Sequence, residues 1–244
     1  MSAIEFADVC KTYGQSGSRN RVAALCHLKL QIEAGEVFAL AGPNGAGKTT
    51  AIRILLGLCR PDSGQVGIFA GHDAVYSSGT VGFAPEEADL PEFLSVDELL
   101  QTACGLSGIT PAPARLDRAV KMLELSEDRH RRVGELSKGT RQRVSLAAAI
   151  VHEPRLVIFD EPASGLDPIG RQLVRNVIRE VHSQGATVFF TTHILADLPG
   201  LCSRIGILRQ GELVFSGTPA EFCGSDALPA LEERFAVLVR GSGS

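Results

Sequence analysis

Gly42, Gly47, Lys48 and Thr49 stand at the spacing Gly-x-x-x-x-Gly-Lys-Thr within "AGPNGAGKTT", Ala41 to Thr50. These are the residue types a chain of phosphates needs: glycines let backbone N–H groups curl inward, a lysine answers the negative charge, and a hydroxyl ligates Mg²⁺. Glycines weaken strands and helices alike, so the segment lowers stability unless it holds something. A second group lies in "RLVIFDEP", where Asp160 and Glu161 close an apolar run. Hydrolysis of Mg·ATP needs an anion to hold the metal's water shell and a base to orient the attacking water. Adjacent carboxylates at a strand end, the edge where ligands sit in open parallel sheets, supply both. In "ELSKGTRQRV", Ser137 and Gly139 stand just before an amphipathic run. As N-cap and bare backbone they would make that helix N-terminus a second anion site. "SGLDP" (Ser164–Pro168) follows Glu161, and "TTHIL" places His193 at the end of a further strand.

The elements that must carry these residues are legible from periodicity. Val37-Phe-Ala-Leu40 reads as a buried strand before the loop, and Thr49 to about Leu56 as a helix after it. Ile4–Lys11 and Leu28–Ile32 alternate as half-exposed strands do, with Gly14–Arg21 as a long flexible hairpin loop between them. Gly64–Phe69 and Thr80–Ala84 read as further strands. Ser95-Val-Asp-Glu98 is a capping box that starts a helix, and Leu116–Leu125 and Arg141–Val151 continue a helical lobe over about residues 86–151. Leu156–Phe159 and Thr187–Phe190 are continuous apolar runs, as in buried parallel strands. Between them a helix runs from near Pro168 to Gly185. Arg204–Gly217 reads as a hairpin turning at Gln210-Gly211, and Thr218–Glu221 as a second capping box. The result is an α/β fold whose parallel core is interrupted by a helical lobe.

Composition sets the bounds. The 244 residues suffice for one α/β domain, or one with a small lobe, and a net charge of −4 leaves no nucleic-acid footprint. Six scattered cysteines form no C-x-x-C pair, which argues against zinc and a disulfide framework and fits a reducing compartment. No stretch approaches the roughly eighteen apolar residues of a membrane span, and no charged-then-apolar leader opens the chain. The expectation is a chain neither secreted nor embedded on its own, with Arg240–Ser244 given no part in the fold. Residues 86–98 hold six acids (Glu86, Glu87, Asp89, Glu92, Asp97, Glu98) and no base. A solvated face with favourable acids at a helix start accounts for them; a docking surface for a basic partner segment is the other reading.

Taken in order, the phosphate loop, the Leu-Ser-x-Gly signature, strand-end Asp-Glu-Pro, Ser-Gly-Leu-Asp and strand-end His resemble the ATP-binding cassette (ABC) ATPases, from about residue 3 to 222. The form "LSKGTRQR" looks most like the ATPase subunits of ABC-2-type exporters, whose permeases are separate membrane proteins. The resemblance implies a phosphate-loop NTPase core with a parallel sheet, an N-terminal antiparallel β subdomain and an inserted helical subdomain. It also implies roles. Tyr13 would stack on adenine. Gly42, Pro43, Asn44, Gly45, Ala46, Gly47, Lys48, Thr49 and Thr50 would wrap the triphosphate of ATP, with Lys48 on the β- and γ-phosphates. Thr49 would hold Mg²⁺, Asp160 its water shell, and Glu161 would be the general base. His193 would contact the γ-phosphate. Ser137 and Gly139 would serve the ATP of a facing subunit, and Asp167 would cross to it.

The implied protein is an ATP-hydrolysing subunit working as a head-to-tail dimer, with itself or a second cassette. It would sit on the cytoplasmic face of a membrane, drive integral permease subunits and bind no nucleic acid. A soluble cassette serving as an assembly scaffold, as in iron–sulfur cluster biogenesis, is the alternative. Two departures from the commonest pattern stand out. Lys138 and Thr140 replace a glycine and a glutamine in the signature. In "GFAPEE", Glu86 takes the place of a glutamine that contacts metal and water, which makes it a third candidate metal contact beside Thr49 and Asp160.

Overall fold

A computed structural model describes the chain except residues 15–20, 70–78, 196–197, 199, 224–227 and 241–244. The expected hairpin loop at Gly14–Arg21 therefore lies largely outside the described residues, as does most of Arg240–Ser244. The chain divides into two compact units, Met1–Val75 with Thr191–Ser244, and Tyr76–Phe190.

In the first unit, β1 (Ser2–Tyr13) pairs antiparallel with β2 (Val22–Glu33) on one side and β4 (Ser63–Ile68) on the other. The alternation seen in the sequence is an alternation of burial: in β2, Leu28, Leu30 and Ile32 are buried while His27, Lys29 and Gln31 are not. Strand β3 (Val37–Ala41) is buried at all five positions and leads through the glycine-rich loop into α1 (Lys48–Leu55). It runs parallel to β8 (Arg204–Arg209), which turns back into antiparallel β9 (Glu212–Gly217). The turn is at Gln210 and Gly211, both at positive φ (49° and 85°), the pairing a two-residue hairpin favours. Thr218 and Glu221 form the expected reciprocal cap: Thr218 N–H donates to the Glu221 carboxylate at 2.7 Å and Glu221 N–H to Thr218 Oγ1 at 3.1 Å. They open the short α6 (Pro219–Cys223), and α7 (Leu228–Arg240) follows it. Residues 223–244 are expected from the sequence only as a short C-terminal tail, and α7 takes up most of that stretch.

In the second unit, β5 (Val81–Ala84), β6 (Leu156–Phe159) and the first residues of β7 (Thr187–Thr192) run parallel in that order. Every position of β6 and β7 is buried, which is why they read as unbroken apolar runs. The described residues 86–151 contain α2 (Val96–Leu106), α3 (Pro113–Met122), a 3₁₀ turn (Val133–Glu135) and α4 (Lys138–Ile150). The Ser95 capping box forms as expected. Arg129 braces the start of α2 by donating to both oxygens of Asp97 (3.0 and 3.1 Å) and to Asp117 of α3 (2.6 Å). Close packing of α4 on β5 requires Gly82: a Cβ there would coincide with the Ala149 carbonyl oxygen. Helix α5 (Pro168–Ser183) follows β6 and precedes Gly185, at φ 91°.

Candidate nucleotide-binding site

The phosphate loop is built on β3 and α1. Lys48, only 5% exposed, donates its ammonium to the carbonyls of Gly42 (2.7 Å) and Pro43 (3.2 Å), so the charge is held over the loop. Ala46 N–H donates to the Pro43 carbonyl (3.1 Å), and the Ala46 carbonyl accepts from Gly211 N–H (2.9 Å), tying the loop to the β8–β9 turn. Gly47 is the N-cap of α1 at φ 110°, and a Cβ there would land on the Ala24 carbonyl oxygen. Only glycine fits, and having no side chain it leaves the first turn of α1 uncapped. Such a helix start offers N–H groups and positive dipole to a phosphate. Gly42 N–H donates to the Thr192 carbonyl at 3.2 Å, which sets His193, exposed at the end of β7, next in the chain to a residue bonded to the loop.

Tyr13 ends β1, 39% exposed and opposite Val22. Lys11 Nζ lies 5.6 Å from its ring centroid, and its hydroxyl is 3.6 Å from Cys59 Sγ. Lys11 in turn pairs with Asp62 at 2.9 Å, and that contact raises the lysine pKa and holds the Asp62 carboxyl below its ordinary range. Cys59 and Asp62 were not singled out from sequence, since only the β1–β4 register brings them to the tyrosine.

In the second unit Asp160 and Glu161 follow β6 and are buried, 3% and 4% exposed. Asp160 N–H donates to the Ala84 carbonyl at 2.9 Å, extending the β5–β6 ladder by one residue. Glu161 then adopts φ 48°, a left-handed conformation uncommon for a residue with a side chain. The chain turns there, with Ser164 N–H donating to the Glu161 carbonyl at 3.0 Å. Glu86 is exposed just beyond β5, and its Oε1 accepts from Ser164 Oγ at 3.4 Å. The structure thus joins Glu86 to the turn that follows Asp160 and Glu161.

Ser137 caps α4 as expected, accepting from Thr140 N–H at 3.1 Å. Because the cap sits at 137, α4 begins at Lys138, three residues before the amphipathic pattern suggested. Asp167 caps α5 by accepting from Gly170 N–H at 2.7 Å. Ser137, Gly139 and Asp167, distant in sequence, line one open cleft of about 500 Å³ together with Thr140, Arg143 and Leu166. Of the six acids in 86–98, four are occupied locally: Glu86 by the Ser164 hydroxyl, Glu92 by Arg141 (3.4 Å), Asp97 by Arg129, and Glu98 in the cap of α2. Among the described residues no group of three or more His, Cys, Asp or Glu is placed to hold a metal, and no helix is long and apolar enough to cross a membrane.

Residues 25–164 match the model of the ABC transporter family. An ABC transporter ATP-binding protein of Nostoc sp. is 39% identical over 92% of this chain and 69% of its own. Nod factor export ATP-binding protein I of Rhizobium etli is 34% identical over 90% of this chain and 69% of its own. A solved ATP-binding subunit of an ABC transporter superposes with a TM-score of 0.82 at 27% identity, covering 96% of this chain and all of that one (100%). The chain belongs to the ABC transporter family, as an ATP-binding ATPase subunit.

Proposed function

We propose that the chain binds Mg·ATP on the loop Gly42–Thr50 and hydrolyses it as a head-to-tail dimer that drives export through separate permease subunits. The observation that carries this reading is the loop itself: a buried Lys48 held by the Gly42 and Pro43 carbonyls, above a helix start that only glycine can form. That cradle suits a triphosphate, and the hard oxygens of Thr49 and Asp160 suit the accompanying Mg²⁺. Thr49 and Asp160 would hold that Mg²⁺, which would supply positive charge against the β- and γ-phosphates. Glu161 orients the attacking water and takes its proton, His193 contacts the γ-phosphate, and Tyr13 stacks on adenine. Ser137 and Gly139 meet the ATP of a facing subunit, and Asp167 crosses to that subunit. Support for the dimer comes from the cleft that gathers Ser137, Gly139 and Asp167. Support for export comes from the likeness to the Nod factor export ATP-binding protein I of Rhizobium etli. Membership of the family supports permease partners and a place on the cytoplasmic face of the membrane.

Glu161→Gln tests the assignment. Removing a positioned base lowers turnover by about 10²–10⁴, while the phosphate contacts persist. The variant should bind ATP and elute from gel filtration in Mg·ATP as a stable dimer. Turnover at the wild-type rate would remove Glu161 from this role.

A further inference from the structure

Ser137 has two tasks: it caps α4, and in the reading above its hydroxyl meets a phosphate. Its oxygen accepts from Thr140 N–H at 3.1 Å and lies 2.8 Å from Thr140 Oγ1. A serine hydroxyl has one proton and two lone pairs. If that proton turns inward to Thr140, an approaching phosphate oxygen meets a lone pair and is repelled. If it turns outward, the phosphate meets a donor.

Arg143 decides between the two. Its Nη2 lies 3.4 Å from Thr140 Oγ1, and a guanidinium can only donate. The same guanidinium is anchored by Nη1 on the carbonyls of Leu123 (3.4 Å) and Glu124 (3.2 Å), with the Glu124 carboxylate at 3.8 Å. Spacings of three residues, 137, 140 and 143, put all three side chains on one face at the start of α4, and all three line the same cleft. An oxygen that accepts from a cation becomes a stronger donor, as in other chains of polarised hydrogen bonds. This favours Thr140 as the donor to Ser137, whose lone pairs would then be taken by the Thr140 N–H and O–H.

We propose that Thr140, held by Arg143, is a positioning residue that turns the Ser137 proton into the cleft, toward the phosphate of the facing subunit's ATP. This rests on the assignment of Ser137 to that ATP. The commonest form of the signature has glutamine at this position, so the device belongs to this form of the motif.

Steady-state ATP hydrolysis is to be measured for Ser137→Ala, Thr140→Val, Thr140→Ala, Thr140→Ser and the double variant Ser137→Ala/Thr140→Val. ATP binding to the monomer and thermal melting are measured alongside. Thr140→Val keeps the volume and removes the donor, so kcat/KM should fall about fivefold, the size of one hydrogen bond, with monomer affinity unchanged. Thr140→Ala should match it if valine disturbs the fold. Thr140→Ser should restore kcat/KM, and the double variant should be no worse than Ser137→Ala alone, because both changes remove one interaction. Wild-type kcat/KM for Thr140→Val and Thr140→Ala beside a damaged Ser137→Ala overturns the positioning role and leaves the assignment of Ser137 standing. A Thr140→Ser that is as impaired as Thr140→Val, or a double variant with additive losses, also overturns it. A harmless Ser137→Ala would sink the assignment, and this inference with it.

Discussion

Glu86 places a carboxyl group where the family commonly has an amide, and Ser164 links it to the turn after Asp160 and Glu161. A carboxylate there is a hard anionic donor, which Mg²⁺ accepts readily. Glu86→Gln keeps an oxygen for the Ser164 hydroxyl and leaves Glu161 in place, so maximal turnover should persist. The free Mg²⁺ needed for half-maximal turnover should rise by roughly two- to fivefold, the range for an exposed charge interaction. Superimposable Mg²⁺ titrations for wild type and variant would mean that Glu86 is only one more solvated acid. The phosphate-loop residues and the two strand-end carboxylates were legible in the sequence because their chemistry demands particular types at particular spacings. The contacts of Ser164, Thr140 and Arg143 were not, since they depend on turn geometry and helix phase. Once Ser137 is taken as an N-cap, the three-residue spacing to Thr140 and Arg143 is the signal that would have found them.

At the scale of elements, strands were the easier reading. A buried parallel strand such as β6 must be apolar throughout, and a half-exposed one such as β2 must alternate, so burial writes itself into the pattern. Helix starts were legible where a side chain caps them, as at Ser95 and Ser137. The start of α4 was still placed late, because its polar first turn shows no apolar face. Helix α7 was missed, although Leu228, Leu231, Phe235 and Leu238 recur at helical spacing. Packing between elements is the harder part, and Gly82 shows why: a glycine inside a strand marks a close approach without naming what approaches. Here it is α4, whose N-cap is Ser137. Gly82→Ala must push the Ala149 carbonyl away, and overpacking of this kind lowers stability by about 1–3 kcal/mol. Urea unfolding followed by circular dichroism should show that loss. A midpoint equal to wild type would mean that α4 and β5 are less tightly apposed than the structure indicates.

For the molecule as a whole, stability should fall on mild acidification, and His152 is a named cause. It follows α4, is 5% exposed, and its Nε2 lies 3.2 Å from the Val81 carbonyl at the start of β5. A carbonyl can only accept, so Nε2 carries the proton of a neutral ring. Burial pushes the His152 pKa below its ordinary value; the bond to Val81 opposes that shift, and the charge of Arg115 adds to it. The unfolded chain therefore binds this proton at higher pH than the folded one. Stability is fully present above about pH 6.5, the unfolded value, and declines as pH falls from there toward the folded pKa. One such group changes stability by at most about 1.4 kcal/mol per pH unit within that window. His152→Gln retains an N–H for Val81 and cannot titrate. Urea midpoints at pH 7.5 and 5.5 should differ less for this variant than for wild type, whatever its absolute stability. An equal drop in both proteins would show that the acid sensitivity of the fold arises elsewhere.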